Sequence, residues 1–185
     1  MLTFEPLTIG NWEKFVDLFG ERGACGGCWC THWKMNPKQF RESCGATAYE
    51  FQKMTVASGI VPGLLAFENN QAVGWIAVEP RSQYPRMEKA RSTKSADNQE
   101  VWSISCFFTR KSHRRRGVST ELLKYTVEYA RSKGAKILEG YPTDTKLRNF
   151  PDAFVYTGLS ETYQSVGFTE VKRNTPTRPV FRLML

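Results

Sequence analysis

The chain has 185 residues, 41% of them apolar and 24% charged, the composition of a folded globular domain rather than a low-complexity or disordered segment. No apolar run reaches the roughly 18 residues of a membrane-crossing helix, and the start, MLTFEPLTIGNWEKF, lacks the basic flank and apolar core of an export signal. The formal net charge of +8 favours an anionic partner while leaving nucleic acid, acidic lipid and a phosphorylated cofactor open.

Five cysteines are an odd number, and three crowd into CGGCWC at Cys25, Cys28 and Cys30. Without an export signal, free thiols and a cytoplasmic address are the expectation. Cys25, Cys28, Cys30 and His32 offer zinc-ligand chemistry, but all four lie within eight residues. Structural zinc sites close a larger loop from two separated ligand pairs, so no metal is expected.

In chain order, Leu2 to Pro6 reads as a short strand. From Asn11, the spacing of Trp12, Phe15, Val16, Leu18 and Phe19 predicts an amphipathic helix, capped by Asn11 and stopped at Gly20. After a Gly- and Cys-rich turn, Pro37 opens a second helix expected to run to about Ser58, before Gly59. GLLAFE and AVGWIAVE, joined by Asn69-Asn70-Gln71, predict an antiparallel hairpin, because asparagine tolerates positive φ. Residues 81–100 are polar and aperiodic, an insertion expected as a solvated loop or as a rim of a binding site.

VWSISCFFT, Val101 to Thr109, is a strand rich in aromatic and β-branched residues. Beyond a basic loop, Val118, Leu122, Tyr125, Val127, Tyr129 and Ala130 recur at helical spacing up to the stop at Gly134. KILEGY follows as a strand, so this unit should place two parallel strands about a right-handed crossover. SETYQSVGF predicts a short helix, and FTEVKR and PVFRLML two final strands. The expected fold is one α/β domain over residues 1–185, a mixed, mostly antiparallel sheet flanked by helices.

The basic loop, His113-Arg114-Arg115-Arg116-Gly117, lies between a strand and a helix start, where unpaired N–H groups and the helix dipole favour an anion. Gly117 allows close backbone approach, and Ser119 and Thr120 add hydroxyls; His113 reads most simply as a further surface charge. Neither G-x-x-x-x-G-K-[ST] nor G-x-G-x-x-G occurs, which argues against P-loop and Rossmann nucleotide sites.

What fits is R-x-x-G-x-[small], Arg114 to Ser119, and here the chain resembles the GNAT superfamily of acyl-CoA-dependent N-acyltransferases. The pyrophosphate loop of that family reads [Q/R]-x-x-G-x-[G/A]; Ser119 departs from it by one small residue. Tyr163-Gln-Ser-Val-Gly167-Phe168 resembles the family's Y-x-x-x-G-F, and the order of elements agrees over nearly the whole chain.

The resemblance implies acetyl transfer from acetyl-CoA, a co-substrate, to a primary amine of a small molecule or peptide. Phe107, Phe108 and Thr109 would bond the pantetheine arm through their backbone, with an amide near Phe108 as oxyanion donor. The pyrophosphate would lie on the amides from about Arg115 to Thr120, including Gly117, Val118 and Ser119, with added charge from Arg114, Arg115 and Arg116. Tyr163 would protonate the departing thiolate. Glu139, Glu79 or bulk water would take the amine's proton, and Cys28, Trp29 and Trp33 would line the acceptor pocket. Neither nucleic acid nor membrane is an expected partner, and a homodimer is compatible with the reading. Two alternatives stay beside it: a nucleic-acid module using the basic loop, and a catalytically silent CoA-binding sensor.

Overall fold

The computed structural model describes residues 1–43, 45–146, 150–151 and 154–185. Seven strands form one sheet: β1 Leu2–Pro6, β2 Gly63–Glu68, β3 Gln71–Pro80, β4 Trp102–Thr109, β5 Ile137–Gly140, β6 Thr169–Thr175 and β7 Arg178–Met184, in the order β1-β2-β3-β4-β5-β7-β6. Every neighbouring pair is antiparallel except β4 and β5. The helices are α1 Trp12–Phe19, α2 Pro37–Ser43, α3 Ala46–Ala57, α4 Pro85–Lys89, α5 Val118–Ser132 and α6 Ser160–Ser165.

The β2–β3 turn forms as its sequence dictates: Asn69 and Asn70 sit at φ 49° and 62°, the pair of left-handed residues that a tight hairpin needs. Both strands are buried on both faces, which is why they read as continuous apolar runs rather than as an alternation. One face carries Leu64, Ile76 and Val78 against Val118, Leu122 and Leu123 of α5. The other carries Leu65, Phe67 and Trp75 against Trp12, Phe15 and Phe19 of α1. Each such side chain contributes about 1.5–3 kcal/mol of burial, so this double-faced centre fixes where both helices sit.

Two expectations need correction. The single helix over 37–58 is two, α2 and α3, because Gly45 at φ 89° turns the chain through a left-handed conformation that no helix contains. Cys44, beside that break, lies outside the described residues. The polar stretch 81–100 is not a plain solvated loop: it holds α4 and two single 3₁₀ turns, Arg81–Gln83 and Arg91–Thr93, with Arg81, Tyr84, Met87 and Thr93 buried. Its anchor is polar. The Arg81 guanidinium donates to the Thr93 carbonyl at 3.0 Å and to the Tyr141 hydroxyl, and pairs with Glu88 at 2.5 Å. A segment held by hydrogen bonds shows no apolar period.

The feature that shapes the site is a divergence. β4 and β5 pair only through Trp102–Leu138, Ser103–Glu139 and Ile104–Gly140. Beyond Ile104, β4 continues to Thr109 without β5 beside it, which leaves one edge of its C-terminal half open.

Candidate active site

At the end of β4, a single 3₁₀ turn, Lys111–His113, leads into the basic loop and then α5. Arg115 (φ 59°) and Gly117 (φ 80°) are both left-handed, which curls the loop back over the helix start. Gly117 is the cap of α5 and has no side chain to occupy the first amides of the helix. Several charges of the run are already engaged. Arg110 binds Asp17 at 2.6 Å and the Ala72 carbonyl, His113 and Arg116 face Glu68 at 3.1 and 3.6 Å, and Arg114 Nε donates to the Thr109 carbonyl. These bonds fix the loop's shape, and the amides from Arg115 to Thr120 remain at the head of a 15-residue helix.

The open edge of β4 follows from its hydrogen-bond alternation. The Arg110 amide donates to Val73 of β3, so the Phe108 amide, two residues earlier, also faces β3. The Phe107 and Thr109 amides therefore face the open edge. This corrects the expectation for Phe108, whose N–H is turned towards the neighbouring strand. The Phe107 amide is held by the Tyr156 carbonyl at 2.5 Å.

Tyr163, on α6, has no exposed surface. Its ring packs edge-on against Phe107, Phe168 and Phe181, and its hydroxyl donates to the Thr157 carbonyl at 3.2 Å. Gly140 makes room for it: a Cβ there would lie 2.1 Å from Tyr163 Cε1 and 2.7 Å from the hydroxyl. The hydroxyl thus sits where β5 leaves β4. Burial, with the nearby Tyr141 and Cys106, raises its pKa well above the usual tyrosine value, so it keeps its proton.

The two carboxylates differ from expectation. Glu139 does not point into the cleft; it is fully buried in a polar cluster. It accepts from Arg182 Nε at 2.7 Å, Tyr141 at 2.5 Å and Ser95 Oγ at 3.0 Å, with Arg81 3.6 Å away. Strand pairing sets this: Glu139 lies opposite Ser103 of β4 and Arg182 of β7, on a face where Ser95 of the folded insertion reaches it. Glu79, 2% exposed, is paired with Lys34 Nζ at 2.5 Å. Burial raises its pKa, partly opposed by Lys34.

Beside the open part of β4 lies a cavity of about 230 Å³. Its walls come from the Gly/Cys-rich turn, from Cys106, Phe107 and Phe108 of β4, and from Phe19, His32, Trp33, Phe40 and Tyr156. Cys28 and Trp33 are among the lining residues. Trp29 is not. It is 4% exposed, stacked on Phe19 at 5.9 Å and edge-on to Tyr49 at 4.9 Å, in the core beneath. Cys28 and Cys106 act as apolar wall: burial pushes Cys28 up to about 11, and the hydrogen bond with Cys30 followed by burial raises Cys106, while the same Cys106 hydrogen bond, opposed by burial, lowers Cys30. Cys25, Cys28, Cys30 and Cys106 are free thiols. Among the described residues, no group of three or more His, Cys, Asp or Glu side chains is gathered as metal ligands would be.

Sequence reasoning missed Arg86, which backs this cavity. Its Nη1 lies 3.2 Å from the His32 carbonyl and 3.3 Å from His32 Nδ1, and its guanidinium stacks 6.0 Å from Trp33 and 5.7 Å from Phe40. Nothing in the aperiodic stretch around it singles out one arginine. Burial, with Arg86 second, lowers His32 to about 4, so the imidazole is neutral at pH 7.

Comparison with known proteins identifies the family and the fold. The sequence model of the acetyltransferase (GNAT) family matches residues 29–156. The chain is similar in fold to PaiA N-acetyltransferase from Thermoplasma acidophilum, solved in complex with coenzyme A, at 12% identity and TM-score 0.56 over 100% of this chain and 99% of that one. It is also similar to a polyamine N-acetyltransferase of Drosophila melanogaster that forms N-acetylagmatine, at 12% identity and TM-score 0.59 over the whole of both chains. A third structure, the NatC complex bound to Gag peptide and CoA, gives 13% identity and TM-score 0.56 over 100% of this chain and 98% of that one. None of the curated proteins compared with the chain matches it. With the family matched over more than half its length, the chain belongs to the acetyltransferase (GNAT) family, whose chemistry is acyl transfer from acetyl-CoA to an amine.

Proposed function

We propose that the protein transfers an acetyl group from acetyl-CoA to a primary amine by direct attack on the thioester. The observation that carries this reading is the open edge of β4, which joins the anion-ready head of α5 at one end to an apolar cavity at the other. The pyrophosphate would rest on the amides of Arg115 to Thr120, with the pantetheine arm along Phe107 and Thr109, in place of the Tyr156 carbonyl now on the Phe107 amide. The thioester would then reach the cavity mouth. The Phe107 N–H becomes the candidate oxyanion donor, a role whose loss typically costs about 2.7–4 kcal/mol.

The amine must be neutral to attack. Glu139 is enclosed, Glu79 is paired with Lys34, and His32 is a weak base at pH 7. The cavity itself supplies the deprotonation. An ammonium moved from water into an apolar site beside a guanidinium loses its proton more readily, because both desolvation and the like charge disfavour the cation. The proton leaves to water as the amine enters. The C–N bond forms, the tetrahedral intermediate collapses and the C–S bond breaks. The thiolate takes the Tyr163 proton, and the surplus proton on the new amide nitrogen passes through water to the Tyr163 phenolate and restores it. Such acid help typically contributes roughly 10²–10⁴-fold.

Calorimetry with CoA and acetyl-CoA, followed by thiol release over an amine panel, tests the reading. Saturable binding at one site with thiol released only in the presence of amine supports it. Absence of binding by either nucleotide overturns it, and binding without turnover on any amine leaves a CoA sensor instead.

A further inference from the structure

Resting on the acetyl-transfer reading, we infer that the acceptor is a monoamine carried on an apolar, ring-sized body, and that the site discriminates against polyamines and other dications. The cavity's chemistry carries this. At about 230 Å³ it exceeds the roughly 150 Å³ engineered cavity that takes benzene, so it holds one ring or a short alkyl chain with an aminoalkyl arm. Its walls are aromatic rings and thiols, which favour the apolar face of a ligand.

Charge sets the second half of the selection. An amine with a second ammonium needs an anion at the far end of its site. Among the described residues, no carboxylate lines the cavity. The buried carboxylate of Glu79 is already paired with Lys34 at 2.5 Å. In place of an anion, the Arg86 guanidinium packs against three of the walls, His32, Trp33 and Phe40. A second ammonium roughly 8 Å from that guanidinium, at an effective dielectric of about 20, is disfavoured by roughly thirtyfold. An uncharged ring has no such penalty and gains the burial of its own apolar surface.

The test compares phenethylamine and hexylamine with agmatine and spermidine on the intact protein with acetyl-CoA, after CoA binding has been established by calorimetry. The expected result is a kcat/KM for the monoamines at least about tenfold above that for the dications. Arg86→Glu, which places an anion behind the same walls, should raise agmatine turnover relative to phenethylamine. Arg86→Gln controls for folding and should narrow the gap without reversing it. Equal or better use of agmatine or spermidine by the wild type overturns the inference, as does bound CoA with no turnover of either monoamine. Preference for hexanoyl-CoA over acetyl-CoA with a small amine also overturns it, because the cavity would then hold the acyl chain. If CoA itself fails to bind, the acetyl-transfer reading fails first, and the two failures are told apart.

Discussion

Glu139→Gln separates a structural carboxylate from a catalytic one. The substitution keeps the shape of the side chain and removes its charge. Both oxygens of Glu139 are engaged by Arg182, Tyr141 and Ser95, and Arg81 stands 3.6 Å away. Arg182 and Arg81 are themselves 7% and 8% exposed, so the change leaves buried guanidinium charge with less compensation. Asp97, at 2.8 Å from Arg182, offsets part of that loss. Removing one partner of a buried pair typically costs about 3–5 kcal/mol. At about 2–4 °C per kcal/mol for a domain of this size, Tm should fall by roughly 6–20 °C, with Asp97 holding the loss towards the lower end. The assay pairs thermal unfolding with kcat measured well below the variant's Tm. The expected result is a large fall in Tm with kcat within about threefold of wild type once fully folded. A Tm within about 2 °C of wild type, with kcat down a hundredfold, would refute it and return Glu139 to the chemistry.

Tyr163→Phe should lower kcat by roughly 10²–10⁴-fold while sparing CoA affinity; calorimetry and steady-state kinetics on one preparation check both, and unchanged turnover removes the hydroxyl from the mechanism. Gly117→Ala places a side chain in the left-handed region, at a cost of about 1–2 kcal/mol, and narrows the approach to the helix amides, so CoA should bind more weakly in a protein that still folds. Phe15→Ala, in the core between α1 and Trp75, should destabilise by about 3–5 kcal/mol in chemical denaturation. His32 sets a pH dependence. Its folded pKa, about 4, lies below its ordinary 6.5, so between these values the unfolded chain binds the extra proton. Stability should therefore decline as pH falls from about 6.5 towards 4, and His32→Asn should flatten that part of the profile.

How much of this was legible depends on what holds each element. The hairpin, α1 and α5 are held by apolar periodicity and turn chemistry, and the chain states both openly. The loop running into α5 was legible because Gly117 and the helix start are local features. The split at Gly45 was hidden by an otherwise plausible helical run. The folding of residues 81–100 rests on hydrogen bonds from Arg81 to Thr93 and Tyr141, far apart in sequence, which leave no local pattern. The site residues show the same division. Trp33 and Cys28 reach the cavity from a turn whose composition marked it out, whereas Trp29 beside them turns into the core. Strand neighbours decide that Glu139 meets Arg182 and that the Phe108 amide faces β3, and a single strand does not name its neighbours. Arg86 and Tyr156 come from stretches with no periodicity at all.

The most direct test of the central claim is a structure of the protein with bound CoA. The pyrophosphate should lie against the amides of Arg115 to Thr120 and the pantetheine along β4, with the Phe107 amide transferred from Tyr156 to the cofactor. The thiol should point to the cavity and lie within reach of the Tyr163 hydroxyl. CoA bound elsewhere, or bound with the Tyr156–Phe107 bond intact and the thiol turned away from the cavity, would contradict it.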